Sequence, residues 1–339
     1  MRLSYVTDPR ANNSNYRSYQ PAQAVVEKGH SVEWNREGEL PFSPARLAGA
    51  EVVHVHRYLG RDALSVVQRL QARGVGVVWD NDDDIANIPR SNPNYSKYSG
   101  ARRPAVVRAI EAMVQTVDVV TTPSAVLAER FRESGAADVR VIENYLPDRF
   151  PGQKAIAHDG VTIIWLAALE HQVDYQRLRL HDTLLRLLDA HPQLRVLSVG
   201  LGLGLKSDRY EHVAHVDFAD LPRVLARADI GIAPLAEIPW NEAKSNVKLK
   251  EYAAAGLPWL ASPIGPYAGM GESQGGLLVP DDGWHDALDR MIGNARARKK
   301  LAKRAAKWVK GETISKHVGE WEAVYRDAAA AASRRSGRA

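Results

Sequence analysis

Short apolar runs bounded by glycine, proline and polar clusters alternate along this chain with stretches whose apolar positions recur at helical spacing. The first kind reads as buried strands and the second as amphipathic helices. In the first half the pattern predicts strands at Leu3–Val6, Ser31–Trp34, Val52–His56, Val75–Trp79, Val119–Thr121 and Val139–Ile142. Between them it predicts helices at Gln20–Lys28, Asp62–Arg73, Pro104–Thr116 and Ala125–Ser134. Ser124 stands where an N-cap belongs, and Gly29, Gly74 and Gly135 stand just past helix ends. A second alternation begins after Asn144-Tyr145-Leu146-Pro147. It predicts strands at Val161–Leu166, Leu194–Val199, Val213–Phe218, Ile230–Pro234, Trp259–Ala261 and Leu277–Val279. Helices are predicted at His181–His191, Leu221–Ala228 and Trp284–Gly293, with a helical stretch from Ala295 to about Ala332. Strand-helix alternation of this kind makes doubly wound parallel sheets, so the fold class is α/β. The Pro/Gly/polar stretch 148–159 carries no periodicity and divides the chain into two Rossmann-like domains, residues 1–150 and 160–310, followed by a terminal helix over 311–332.

A length of 339 residues suits two domains, and 45% hydrophobic with 25% charged residues is ordinary for a globular protein. The absence of cysteine excludes disulfides and thiolate metal sites. The N-terminus opens on a strand without the apolar core of a signal peptide, and no run of about 18 apolar residues is present. The expected location is the cytoplasm. The net charge of +5 is concentrated in residues 296–310, RARKKLAKRAAKWVK, and in the tail SRRSGRA. Such a face is either a solvated helix or a weak contact with an anionic membrane; aromatic residues are not interleaved in it, so no nucleic-acid partner is expected.

Residues 241–263, NEAKSNVKLKEYAAAGLPWLASP, carry the most chemistry. A Lys-bearing polar turn enters a helix that ends at Gly256-Leu257-Pro258 before a buried strand. A helix N-terminus presents free N–H groups and partial positive charge, which with Lys244, Ser245 and Lys248 suits a diphosphate. Asn246 and Val247 lie at the same turn, and Glu251 is placed one turn on to accept from two neighbouring sugar hydroxyls. The competing reading is an ordinary α/β unit with a charged face. The turn Gly200–Lys206, with Gly200 and Gly202, allows close backbone approach to a nucleotide. The acidic run Asp80-Asn81-Asp82-Asp83-Asp84 closes a strand and has three readings: an acceptor site with a general base, a structural cap, or a metal site. His54 and His56 share one strand face without a third metal ligand of fitting spacing, which leaves a cleft or core role. Arg57 at the strand end, and Tyr16 and Arg17 in the first loop, complete the acceptor-side candidates with His56. Arg17 suits a phosphate or a surface carboxylate. The first loop reads Thr7-Asp8-Pro9-Arg10 rather than G-x-G-x-x-G, which argues against a dinucleotide-dependent dehydrogenase.

The 241–263 segment resembles the donor-site signature of the retaining group 1, or family-four, GT-B glycosyltransferases, in which a helix reading roughly K-x-x-E-Y-x-A-x-G-x-P precedes a strand and an S-P turn. Asp118-Val119-Val120-Thr121-Thr122-Pro123-Ser124, Val141-Ile142-Glu143-Asn144-Tyr145 and Ala228-Asp229-Ile230-Gly231-Ile232-Ala233-Pro234-Leu235 resemble further elements of that family in the same order. The resemblance implies two facing domains, with the last helix crossing back to the first and Trp308, Trp321 and Tyr325 as its anchors. It implies transfer from a nucleotide diphosphate sugar, with UDP favoured, to a small-molecule, glycan or lipid-linked acceptor. Retention of configuration is implied, with no metal and no other cofactor. Glu251 becomes the ribose-binding carboxylate and Lys248 a diphosphate neighbour. Ala167–Asp174 resembles a G-x-x-x-H-x-x-D turn, which makes His171 either a donor to a phosphate or leaving group or a local cap. Asp80, Asp82 and Asp83 resemble a D-x-D-D element facing the acceptor. The family's second glutamate, eight residues before the first, is Ala243 here, so the sugar contact falls to Glu242, to the Glu237 loop or to backbone groups. That substitution keeps open a catalytically inactive sugar-nucleotide-binding homologue; a nucleotide-sugar epimerase of the same two-lobed form is the other alternative.

Overall fold

The computed structural model describes the chain except residues 8–12, 37–46, 48, 61, 151–155, 157 and 338–339. The first-loop positions Asp8, Pro9 and Arg10, and part of the 148–159 linker, therefore lie outside the described residues.

Two all-parallel sheets of six strands form the frame. The first contains β1 (Arg2–Thr7), β2 (Ser31–Arg36), β3 (Val52–His56), β4 (Gly76–Asp80), β5 (Val119–Thr122) and β6 (Val139–Val141), in the spatial order β2-β1-β3-β4-β5-β6. The second contains β7 (Val161–Ala167), β8 (Leu194–Gly200), β9 (Tyr210–Val213), β10 (Ile230–Ala233), β11 (Trp259–Ala261) and β12 (Gly276–Leu278), in the order β12-β11-β10-β7-β8-β9. Strand order reverses beside β1 in one sheet and beside β7 in the other. Ligands of open α/β sheets bind at such switch points, outside the carboxyl ends of the strands. The central strands β3, β4, β5 and β7 are buried along their whole length, as continuous apolar runs in a two-faced sheet must be.

Local signals behave as their chemistry requires. Ser124 Oγ accepts from Leu127 N at 3.1 Å and caps the helix Ala125–Glu133. Gly135 follows that helix at φ +93°, a left-handed conformation that any other residue adopts only with strain.

Three expectations are corrected. The ninth strand is Tyr210–Val213, not Val213–Phe218: it lies at the edge of its sheet and pairs only with β8, so it needs no continuous apolar run. The helical stretch from Ala295 breaks into Ala295–Trp308 and Ile314–Arg335. The break is where the chain recrosses between the sheets. There Leu146 N donates to Glu312 O at 2.9 Å and Ile314 N to Leu146 O at 2.8 Å, so the two crossings pair with each other. The last helix packs on the first sheet, with Trp321 and Tyr325 fully buried against Tyr5, Val78 and Val119. Trp308 is not one of its anchors; it sits half-buried against the core of the second sheet, because it belongs to the preceding helix. That preceding helix leaves Arg296, Lys299, Lys303 and Lys307 exposed on its outer face. Among the described residues no helix is long and apolar enough to cross a membrane.

Candidate functional site

A cleft of about 780 Å³ lies between the carboxyl ends of the two sheets. Asn13, Tyr16, Arg57, Asp82 and Asp83 line its first-sheet wall, and Gly200, His171, Lys244, Ser245, Lys248 and Glu251 line the other. Topology explains the gathering: the first set follows β1, β3 and β4, and the second follows β7, β8 and β10.

On the second-sheet wall the helix Val247–Ala254 points its first turn at the cleft. Lys248 is half-buried in the cleft wall, and desolvation there, with Lys244 close by, lowers its pKa to about 8. Its Nζ lies 3.1 Å from His171 Nε2. His171 Nδ1 lies 2.6 Å from Asp174 Oδ2, while Asp174 Oδ1 accepts from Ala236 N at 2.8 Å and Asn241 Nδ2 at 2.6 Å. Burial and Lys248 lower the His171 pKa, which favours the uncharged ring. With Nδ1 donating to Asp174, Nε2 is left as acceptor for the Lys248 ammonium. His171 thus stands between Asp174 and Lys248, with its Nε2 held against the lysine. Lys244 lies over the Trp240 ring at 4.7 Å and 3.6 Å from Glu170. Burial alone would raise Glu170, but the Lys244 ammonium draws it down to about 2, so it is a fixed anion in the cleft wall. Nothing in the residue pattern singled out Glu170, whose role depends on a lysine 74 positions away in sequence. Burial lifts Glu251 to about 7.

The first-sheet wall is acidic in sequence and largely neutralised in space. Asp80 is fully buried. Arg17 donates to it through Nε at 3.1 Å and Nη2 at 2.6 Å, and Thr121 Oγ1 donates at 2.6 Å. Arg17 also donates to Ile142 O at 2.5 Å and Asn144 Oδ1 at 3.1 Å and lies over Trp321 at 4.9 Å. Both are corrections: Asp80 cannot meet an acceptor, and Arg17 meets neither a phosphate nor a surface carboxylate. Together they tie β4 to the exit of β6 and to the last helix. Asp82 accepts from Asn13 Nδ2 at 2.8 Å and pairs with Arg57 and with His56 Nε2 at 3.2 Å. Burial would raise it, yet Arg57 and His56 hold it well below the usual carboxylate range. Among the described residues Asp83 pairs with Arg57 Nη2, and it remains at the cleft surface, where burial raises its pKa despite Arg57. Asp84 turns away to Arg130 and Asn87. Arg57 itself stands at φ +60°, a left-handed conformation that is costly for arginine. Its N–H donates to Asp80 O at 2.8 Å and its guanidinium to both Asp82 and Asp83, so packing forces the strain that aims the side chain. Asp82 and Asp83 thus each spend an oxygen on one arginine, and among the described residues no set of three or more His, Cys, Asp or Glu side chains is arranged around a common metal position. His54 is core, ring-stacked on Tyr5 at 4.6 Å and held neutral by burial, with a pKa near 3.

Remaining candidates separate in the same way. Gly200 stands at φ +90° with its backbone against Ala167 O, where a Cβ would clash at 2.4 Å, and it lines the cleft. Gly202 does not; it lies against His212. Ser245 and Asn246 tie the walls together: Asn144 Nδ2 donates to Ser245 Oγ at 3.1 Å and Asn246 Nδ2 to Glu143 Oε2 at 3.0 Å. Glu242 lies off the cleft, paired with Arg130 Nη2 at 3.1 Å, and Glu237 is exposed to solvent outside it. Neither holds the sugar-contacting place. Ala243 is buried with Trp240 in the core cluster of the first sheet, so a glutamate there would be an unpaired charge at the interface of the two halves. Two interdomain contacts escaped the residue pattern. Lys250 is fully buried, 2.7 Å from Glu143 and 2.8 Å from Glu312. Tyr16, expected on the acceptor side, reaches across the cleft and donates to Glu251 Oε1 at 2.5 Å.

Residues 160–328 match the family model described as Glycosyl transferases group 1. Comparison with curated proteins gave no match. Among solved structures, the chain is similar to sucrose-phosphate synthase from Thermosynechococcus elongatus (TM-score 0.70, 15% identity, 98% of this chain and 100% of that one). HepE from Anabaena, in complex with UDP and glucose, gives a TM-score of 0.68 at 13% identity over 96% of this chain and all of its own. A glycosyltransferase from Rickettsia africae gives 0.67 at 13% identity over 96% and 98%. At such identities the structural likeness establishes the two-sheet fold.

Proposed function

As residues 160–328 are a group 1 glycosyltransferase domain and the whole chain has the GT-B fold, this protein is a glycosyltransferase, and we propose that it uses a UDP-sugar, without a metal and with retention of configuration. The observation that carries this reading is the pair Lys244 and Lys248 at the mouth of a helix, in one cleft with Glu251. Glu170 pairs with Lys244 at 3.6 Å and Lys248 makes no ion pair among the described residues, and two ammonium groups at a helix start suit a diphosphate. HepE, which shares the fold, is seen with UDP and glucose, and that favours uridine as the base.

Glu251 accepts the ribose hydroxyls, and the apolar end of the cleft near Val199, Val216 and Phe218 takes the base. As the bond to the leaving phosphate lengthens, Lys248, Lys244 and the free N–H groups of the helix meet the growing charge. Asp174 and His171 hold Lys248 in place for this. The acceptor, a small molecule, a glycan or a lipid-linked sugar, enters from the first-sheet wall, where Asp83 orients its hydroxyl or amine. Its attack from the leaving-group face gives retention and asks for no protein nucleophile. The exposed lysines of the helix 295–308 favour weak contact with an anionic membrane.

Calorimetry with UDP, ADP, GDP and CDP tests the reading. UDP is expected to bind most tightly, and Glu251→Ala to cost about 1.5–3 kcal/mol of UDP affinity in a protein that stays folded. Unchanged UDP affinity in that variant would rule the site out.

A further inference from the structure

Tyr16 is a first-sheet side chain that reaches the end of the cleft lined by Phe218 and Glu251. Its ring meets Phe218 edge-to-face at 5.2 Å, and Phe218 in turn meets Phe150 at 6.0 Å. Its hydroxyl donates to Glu251 at 2.5 Å, and both residues are buried. A flat ring against Phe218 and a hydroxyl on Glu251 are the two contacts that a uracil and its ribose would make there. The two occupants compete for these contacts: the Tyr16 ring stands against Phe218 and its hydroxyl takes Oε1 of Glu251, so a nucleoside seated there has to displace the ring and leave both carboxylate oxygens to its ribose.

The geometry points to Tyr16 as an internal stand-in for the donor nucleoside, which fills its place in the donor-free protein and is displaced when the donor binds. This rests on the donor-site reading of Glu251. Tyr16 lies in a π-helical turn, Asn15–Tyr19, a rare widened geometry that concentrates at functional sites. The next residue, Arg17, is fixed by Asp80, Ile142 and Asn144, so the backbone is held and the ring leaves by rotation of its own side chain. The contact also joins the two halves of the protein across the cleft. Tyr16 is a positioning residue in this role: it touches the carboxylate, not the reacting atoms.

The test is UDP binding and thermal unfolding of the full chain as wild type, Tyr16→Phe and Glu251→Gln. Tyr16→Phe keeps the ring and removes the competing hydroxyl. It is expected to bind UDP about two- to tenfold more tightly than wild type. Without ligand it should melt lower than wild type, and saturating UDP should close that gap, since the lost bond is absent from both complexes. A side chain that only braces the interface would leave the gap open at saturation. Equal or weaker UDP binding by Tyr16→Phe, with wild type binding UDP and Glu251→Gln weakening it, would overturn this inference alone. If wild type binds no UDP, or Glu251→Gln leaves its affinity unchanged, the donor-site reading falls and this inference with it.

Discussion

The two walls of the cleft are opposites in sequence and opposites again, in another sense, in space. The first-sheet wall advertises itself with four aspartates in five residues, Asp80 to Asp84, yet each is met by an arginine: Asp80 by Arg17, Asp82 and Asp83 by Arg57, Asp84 by Arg130. The second-sheet wall carries a sparser pair of lysines and leaves them less neutralised, with Glu170 at 3.6 Å from Lys244 and the uncharged His171 ring at Lys248. A density of like charge along the chain therefore marks where counter-charges must be supplied. The less neutralised wall is the one on which the proposed donor site stands.

That contrast breaks most sharply at Asp80. Asp80→Asn leaves the Arg17 guanidinium buried beside a neutral amide, and the loss is expected to be about 3–5 kcal/mol, read as a large fall in melting temperature. The same change three residues on, Asp83→Asn, should leave the melting temperature near wild type and cut sugar transfer about 100-fold or more while sparing donor hydrolysis. If both variants lose stability equally and transfer falls with hydrolysis, the division of the acidic run into anchor and acceptor contact is wrong.

On the other wall, Lys248→Ala is expected to lower turnover of the donor about 100- to 1,000-fold, because it removes charge aimed at the leaving phosphate. Hydrolysis of a UDP-sugar by purified protein measures this; a loss confined to KM would show Lys248 to be a binding contact without a share in the transition state.

A smaller effect concerns pH. Ribose hydroxyls donating to Glu251 favour its ionised form, so UDP affinity should rise as pH climbs through about 7, where the free carboxyl titrates. A diphosphate on Lys248 favours the charged amine, so affinity should fall as pH passes about 8. The expected profile peaks between the two, each arm approaching tenfold per pH unit. Glu251→Gln should flatten the acid arm alone; an unchanged acid arm in that variant would assign it to another group.

The smallest expected effect is none at all. Turnover should survive EDTA, since lysines and helix N–H groups stand at the diphosphate place and Arg57 already occupies Asp82 and Asp83. Activity lost to the chelator and restored by magnesium or manganese would return the acidic wall to the role of a metal site.

By itself the sequence determined the two α/β sheets, nearly every strand, most of the longer helices, and the signature helix with Lys248 and Glu251. These features rest on local periodicity, caps and turn residues, which act over a few positions and so are written in order along the chain. Trp259–Ala261 and Trp284–Gly293 fall where the apolar pattern puts them. The tertiary structure alone decided which charged groups are spent and which are free. Arg17 meets Asp80 across 63 positions, Lys244 meets Glu170 across 74, and Tyr16 meets Glu251 across 235. Burial then sets the cost of leaving any of them unpaired. No periodicity carries such pairings, because they depend on where two sheets place their strand ends, and that is settled only once the whole chain has packed.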